Sequence, residues 1–334
     1  MSEFNIEMSY DRYTALRDLK DYPQGYYSQS SPMSPSQKII HMLGSPVRYI
    51  DKKFSSGSLK GSIFNLLAGT VGAGILGLPY AINLSGLYLG IIIILIGMLA
   101  SLYSCSLLVM CSEETKCASY ESIASYLYGK KMRKITEVNI MINNYGSLIA
   151  YILLLKELIP KSLIMLGVTG EIVVNGYFWA ISVTLFVIYP LSLVKEISAL
   201  RYTSLISFIT VSYLTFIVGL QFFIMRGDQI WIRVQEAPAA HFDAFEIFQV
   251  CAIVLFSFTC QSSVVPIYIE LQRPCVRRGK KFIFIALLTV MILYLIVGIF
   301  GFLTFYKEYA TQGIFPDQIL KADYGTNNIP VIIV

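Results

Sequence analysis

Residues 61–112 run for 52 positions without an Asp, Glu, Lys or Arg. A helix needs about 20 apolar residues to cross the hydrocarbon of a bilayer, so this stretch alone is long enough for two crossings. Charge-free runs recur at 138–155, 172–194, 202–225, 247–269 and 282–306, giving seven candidate spans. Only 14% of the 334 residues are charged, against about 25% in a soluble domain. A single water-soluble core is excluded, and the chain reads as an all-α integral membrane protein in contact with lipid.

Basic residues set the expected orientation. With the tail before Gly61 placed in the cytosol and the spans alternating, 20 of the 26 Lys and Arg fall on the cytosolic side. Basic residues favour that side of short loops, so the N-terminus is expected inside. The same clusters need no nucleic-acid partner to explain them. Residues 1–20 are polar and mixed in charge, so no cleavable signal peptide is expected and the first span starts insertion. Residues 1–58, rich in Ser, Tyr, Pro and charge, read as a flexible cytosolic tail that cannot bury a core. The Ser-Pro pairs around Ser31 to Ser36 make it either a solvated tether or a phosphorylatable arm.

Of six cysteines, Cys105, Cys111, Cys251 and Cys260 fall in or beside spans, and Cys117 and Cys275 in cytosolic loops. None pairs in an outer loop, and the spacing fits no zinc site, so they read as small apolar fillers. No metal ligands or cofactor are expected. Asn83-Leu84-Ser85 fits the glycosylation pattern, but it hugs the end of the first span and is expected to be unmodified. The closing residues 327–334 read as a turn followed by the opening of another apolar run. The expectation is part of a longer protein, with 59–334 an incomplete membrane domain.

The first span carries Gly69-Thr70-Val71-Gly72-Ala73-Gly74-Ile75-Leu76-Gly77-Leu78-Pro79. Gly72 to Gly77 satisfies the dinucleotide pattern G-x-G-x-x-G. That pattern has meaning only after a strand and with an acid about 20 positions on, and neither is present. Small residues also serve close helix packing. Four glycines within nine residues exceed that need, since each costs about 1 kcal/mol of helix propensity, and Pro79 withholds an amide one turn later. A break near Gly72 to Gly74 is favoured over a continuous helix. The sixth span has its own interruption at Phe256-Ser257-Phe258-Thr259-Cys260-Gln261-Ser262-Ser263-Val264-Val265-Pro266.

Unwound backbone at membrane depth survives only inside protein or beside a water-filled cavity, and two interrupted spans point to a transporter binding site. A helix starting mid-membrane offers free amides and a positive dipole end, and one stopping there offers carbonyls and a negative end. No charged residue or His lies at either break. A zwitterion suits such a site, its carboxylate on the amides of Gly74 to Leu76 and its ammonium on carbonyls near Thr70 and Ser257.

Several motifs in order then resemble the amino acid/auxin permease family of transmembrane amino acid transporters, particularly its neutral amino acid branch. They are Ser62 to Leu66 with Gly72 to Pro79, Asn144 to Pro160, Pro190 to Leu193 with Tyr202 to Ser204, Pro266 to Leu271, and Gly301 to Phe305. The resemblance covers roughly residues 61–334. It implies a leucine-transporter-type five-plus-five inverted repeat with helices 1 and 6 broken. About seven full spans and the start of an eighth would be present here. It also implies alternating access and ion-coupled amino acid transport. Sodium-coupled members carry an Asn where Ala68 stands, and Ala offers no oxygen to a hard cation. Proton or sodium coupling stays open.

The expected substrate contacts are Thr70, Val71, Gly72, Ala73, Gly74 and Ile75 from the first break, and Ser257, Thr259, Cys260, Ser262 and Ser263 from the sixth span. Asn144 and Tyr145 on the third span are either substrate contacts or interhelical bonds. Glu270 and Arg273, near the cytosolic end of the sixth span, read as a candidate gate pair, with a simply interfacial Glu270 as the alternative. Lys156 and Glu157 read as an interfacial pair, and His41 and His241 lie outside the spans. The expected function is secondary transport of neutral amino acids, with an amino acid sensor on the same fold as the alternative. An enzyme is disfavoured because no span holds a paired acid and base, an activated nucleophile or metal ligands. A channel is disfavoured because no ring of charges appears. The sequence leaves open whether the membrane is plasma or vacuolar/lysosomal, which amino acid is preferred, and the oligomeric state.

Overall fold

A computed structural model describes residues 58–165, 175–192 and 201–312, together with Gly167 and Gly170. The tail through Gly57, with His41 and the Ser-Pro pairs, and the closing run from Asn327 lie outside the described residues. Those residues are all-helical, without strand. The order is α1 (Leu59–Thr70), α2 (Gly74–Ser85), α3 (Leu87–Thr115), α4 (Tyr120–Tyr128), α5 (Lys130–Met165) and α6 (Gly176–Val183). A π turn (Thr184–Ile188), α7 (Tyr189–Ser192), α8 (Arg201–Arg226), α9 (Ile230–Glu236), α10 (Ala244–Ser257), α11 (Gln261–Ile269) and α12 (Val276–Gln312) follow.

Five stretches are long and apolar enough to cross a membrane: Leu87–Thr115, Lys130–Ile164, Leu205–Met225, Ala244–Ile269 and Val276–Lys307. A sixth is the pair α1 and α2, bent by 57°. The expected fourth span appears only as the shorter apolar helix Gly176–Ile188. The seven spans read from charge-free runs are therefore six and a shorter helix among the described residues. Composition marks which segments are apolar but not how far each helix runs.

Local chemistry sets several boundaries. Ser58 starts α1 by accepting the Gly61 N–H at 3.1 Å. Gly86, at φ 84°, turns the chain from α2 into α3. The segment after α9 then covers that corner. Pro238 and Ala239 carbonyls accept the Leu87 and Tyr88 amides at 2.9 and 3.1 Å, and the His241 amide donates to Ser85 at 2.8 Å. Ser85 is itself fully buried, its hydroxyl bonded to Ala81.

The core lies where α12 crosses α1, α2, α3 and α8, and where α2 meets α10. Lipid tails are as apolar as Leu, so helices in a bilayer associate through close packing and polar contacts instead of through escape from water. Glycines make that approach possible. A Cβ on Gly97 would meet Val254 and the Phe258 ring, and one on Gly298 would meet Ile82 and Leu78. Gly97→Leu should therefore overpack the α3–α10 contact by about 1–3 kcal/mol. The expected readout is a lower thermal midpoint of the detergent-solubilised protein, and an unchanged midpoint would contradict this packing.

Candidate functional site

Both interruptions are present, and they touch. In the first, α1 stops at Thr70 and Val71 turns extended (φ −77°, ψ 100°). The chain resumes as helix at Gly74, opened by a long bond from Ile75 N–H to Gly72 O (3.4 Å) and one from Leu76 N–H to Ala73 O (3.1 Å). Among the described residues, the amides of Gly72, Ala73 and Gly74 have no hydrogen-bond acceptor. This moves the expected anion contact two residues towards the N-terminus. The amides of Ile75 and Leu76 are consumed by the turn itself, a 3₁₀-type closure that spacing alone does not reveal. Ile75 instead contributes a side chain that is only 2% exposed.

In the second interruption, Phe258, Thr259 and Cys260 leave the helix between α10 and α11. Most of the freed groups find partners. The Phe258 carbonyl accepts the Ser101 hydroxyl at 2.8 Å, Gln261 Nε2 donates to that hydroxyl at 3.2 Å, and the Cys260 amide donates to Gln261 Oε1 at 3.0 Å. The Gln261 and Ser262 amides have no acceptor among the described residues. The two resumed helices also share a layout. Pro79 and Pro266 each stand five residues after the helix restarts, at Gly74 and Gln261, and each removes an amide donor near the break.

Gly74 is the point of contact. A Cβ there would sit 2.7 Å from Ser257 Cα, a backbone atom that cannot swing aside. The carbonyls ending α1 and α10 converge on one side chain: the Tyr294 hydroxyl of α12 donates towards Ser257 O at 2.8 Å and Thr70 O at 3.2 Å. Cys260 faces Cys105 of α3, sulfur to sulfur, at 3.6 Å. Sequence reading did not single out Tyr294 or Ser101, and it placed Gln261 in the second interruption without a role of its own. Their common signal was a polar group inside a charge-free run.

The hydroxyls expected to tune specificity are partly committed. Thr70, Ser257 and Thr259 each donate back to the carbonyl four residues earlier, at 2.7, 2.7 and 2.9 Å. They remain able to accept. Ser262 and Ser263 are half-buried and make no side-chain bond among the described residues.

On α5 the residue at the break is Tyr151, not the expected Asn144 or Tyr145. A Cβ on Gly72 would collide with the Tyr151 hydroxyl. Tyr145 is 60% exposed, and Asn144 is exposed as well. Asn144 lies seven residues before Tyr151, two helical turns and about 10 Å along the same stripe. That periodicity was the available signal: it fixes the face but not the depth.

No ion pair joins the expected gate residues Glu270 and Arg273 among the described residues. Arg273 is exposed, with left-handed backbone (φ 57°), and makes no ion pair among the described residues. At that end of α11 the polar link is instead Tyr268 Oη to Glu113 of α3 at 2.5 Å, with Lys116 also on Glu113 at 3.0 Å. Lys156 lies 3.8 Å over the Tyr177 ring. At the opposite end, buried Arg233 of α9 donates to the carbonyls of Leu303 and Thr304 at 2.7 and 3.1 Å, Tyr306 donates to Arg233 O, and Lys307 pairs with Glu236. His241, just before the Ala244–Ile269 span, bonds Glu246 in that helix's first turn at 2.6 Å. No group of three or more His, Cys, Asp or Glu gathers as metal ligands among the described residues.

The site thus consists of peptide N–H groups, peptide carbonyls and neutral hydroxyls, with no ionised side chain at either break. The sequence pattern of the family described as "Transmembrane amino acid transporter protein" matches residues 55–319, which take in both interruptions, Tyr151 and Tyr294.

The Cys105–Cys260 contact gives a direct check of how α3 meets the second break. The sulfurs need to close by about 1.5 Å to form a disulfide. Copper–phenanthroline treatment of membranes should yield the Cys105–Cys260 linked peptide pair by mass spectrometry, and Cys105→Ser should abolish it. Absence of the pair in the oxidised parent would contradict the arrangement.

Proposed function

The chain belongs to the transmembrane amino acid transporter family; on that premise we propose that it is a secondary carrier of neutral amino acids, holding the substrate's two charged ends between the interrupted helices. The observation that carries this is the direct contact of the breaks at Gly74 and Ser257. It sets the unsatisfied amides of 72–74 beside the carbonyls of Thr70 and Ser257 in a region without ionised side chains.

The substrate carboxylate would accept from the amides of Gly72, Ala73 and Gly74 at the positive end of α2, with the Tyr151 hydroxyl beside Gly72. Charge-assisted bonds of this kind contribute about 1.5–3 kcal/mol each. The ammonium would donate to the carbonyls at the negative ends of α1 and α10. Side-chain preference would fall to Thr259, Cys260, Ser262 and Ser263. A substrate with net charge would leave one end uncompensated in a low-dielectric site, which supports a neutral amino acid.

Transport would follow from rocking the bundle of α1, α2, α3, α10, α11 and α12 against α5 to α8. Of the polar links at its two ends, Arg233 of α9 with the Leu303 and Thr304 carbonyls would open as the bundle moves, while Glu113–Tyr268 would hold α3 to α11 within it. The five-plus-five inverted repeat fits this scheme, and the matched prolines five residues into each resumed helix support it. Ala68, which brings no oxygen to a cation, supports coupling to protons or exchange over sodium.

Uptake of pooled, labelled neutral L-amino acids into vesicles containing the full-length protein tests the proposal. Gly74→Leu should lower uptake at subsaturating substrate by roughly 100-fold, the equivalent of two lost charge-assisted bonds. Gly219→Ala, where a Cβ meets nothing within 4 Å, should behave as the parent. No uptake by the parent, or a Gly74→Leu variant matching it, overturns the reading.

A further inference from the structure

The hydroxyl at the crossing of the two breaks has more to do than fill space. Tyr294 is fully buried, and its ring is held edge-on against Phe258 at 5.1 Å. Phe258 is in turn fixed through its carbonyl by Ser101. The phenol therefore arrives at the carbonyls of Thr70 and Ser257 from a braced position. It carries a single hydrogen and faces two acceptors, 3.2 and 2.8 Å away. Each of those acceptors is the last carbonyl of a helix with no continuing turn to bond it. One hydroxyl satisfies one of them well, and the other stays short of a donor.

We propose that the Tyr294 hydroxyl is a built-in competitor for the substrate's amino group. It holds the two carbonyls while no amino group is bound, yields to an ammonium on binding, and so sets affinity and release. The inference rests on the substrate placement given under Proposed function. The stoichiometry carries it: an ammonium has three N–H donors and serves both carbonyls at once, which the single phenolic hydrogen cannot do. The exchange leaves the ammonium favoured, but only by the difference between the two. A carrier gains from that, because a substrate held by the full strength of both bonds would leave slowly. Phe and Tyr differ here only by the hydroxyl, so the ring packing against Phe258 survives the substitution.

Concentration-dependent uptake of L-alanine, or of the neutral L-amino acid that the pooled assay identifies, by full-length Tyr294→Phe in vesicles gives the test. Loss of the competitor should lower KM by roughly fivefold to tenfold, about the net value of one neutral hydrogen bond, and lower the maximal rate as release slows. The deaminated analogue (propionate, for alanine) leaves the carbonyls untouched, so its inhibition constant should be the same in variant and parent. A KM that is unchanged or raised overturns the proposal, as does an equal shift for the deaminated analogue. If the Phe variant fails to fold, a ring-fluorinated tyrosine at 294 keeps the hydroxyl and strengthens it as a donor. It should raise KM, and an unaltered KM overturns the proposal. An inactive Gly74→Leu alongside an unmoved Tyr294→Phe would defeat this inference alone, whereas a parent-like Gly74→Leu would defeat the placement beneath it.

Discussion

In hydrocarbon there is no water to bond a peptide group released from a helix, and each one left alone costs several kcal/mol. That constraint shapes the centre of this protein more than any side-chain contact. Two helices stop within the bundle and free a set of N–H and C=O groups, and the surrounding helices are arranged around them. Ser101 and Gln261 satisfy the second break, Tyr294 reaches across both, and a short 3₁₀-type turn takes up the amides of Ile75 and Leu76. What is left over among the described residues is the amides of Gly72 to Gly74 and those of Gln261 and Ser262.

The same breaks require close approach. Gly74 lies against Ser257, and Gly72 lies against the Tyr151 hydroxyl, because a hydrogen in place of a methyl lets backbone and phenol come that near. Glycine therefore does two jobs in the first span. It tolerates the departure from helix, and it leaves room for the neighbouring helix that repairs part of the loss. Away from the site, Gly97, Gly279 and Gly298 serve only the second purpose, letting α3 and α12 seat against their neighbours. The ends of the bundle use a different chemistry. Charged residues there pair or cap carbonyls, as Glu113 does with Tyr268 and Lys116, and as Arg233 does with α12.

Parts of the site were legible because they depend on local composition. Glycine density with Pro79, and a polar cluster with Pro266, located the two interruptions to within a few residues. The error was in the details of the turn: which amides stay free depends on how the first loop closes, and that is a three-dimensional matter. Asn144 was proposed from the third span and Tyr151 found there. Helical periodicity places both on one stripe, but the depth at which α5 crosses the break is set by packing. Glu270 and Arg273 are neighbours in sequence, yet the chain turns at Arg273 with positive φ and leaves that side chain exposed. The partner that matters at that end, Glu113, comes from 155 residues away.

By itself the sequence determined the solvent this protein lives in, since 52 consecutive residues without a charge admit few alternatives. It also determined that the first and sixth spans are interrupted and that no ionised side chain sits at either interruption. Those are properties of composition and spacing. Only the tertiary structure decided that the two interruptions meet, that one tyrosine from a third helix faces both carbonyls, and that a second tyrosine stands at Gly72. Contacts such as these join residues up to 224 positions apart. They depend on crossing depth and helix rotation, which arise from packing the whole bundle and leave no local mark in the chain.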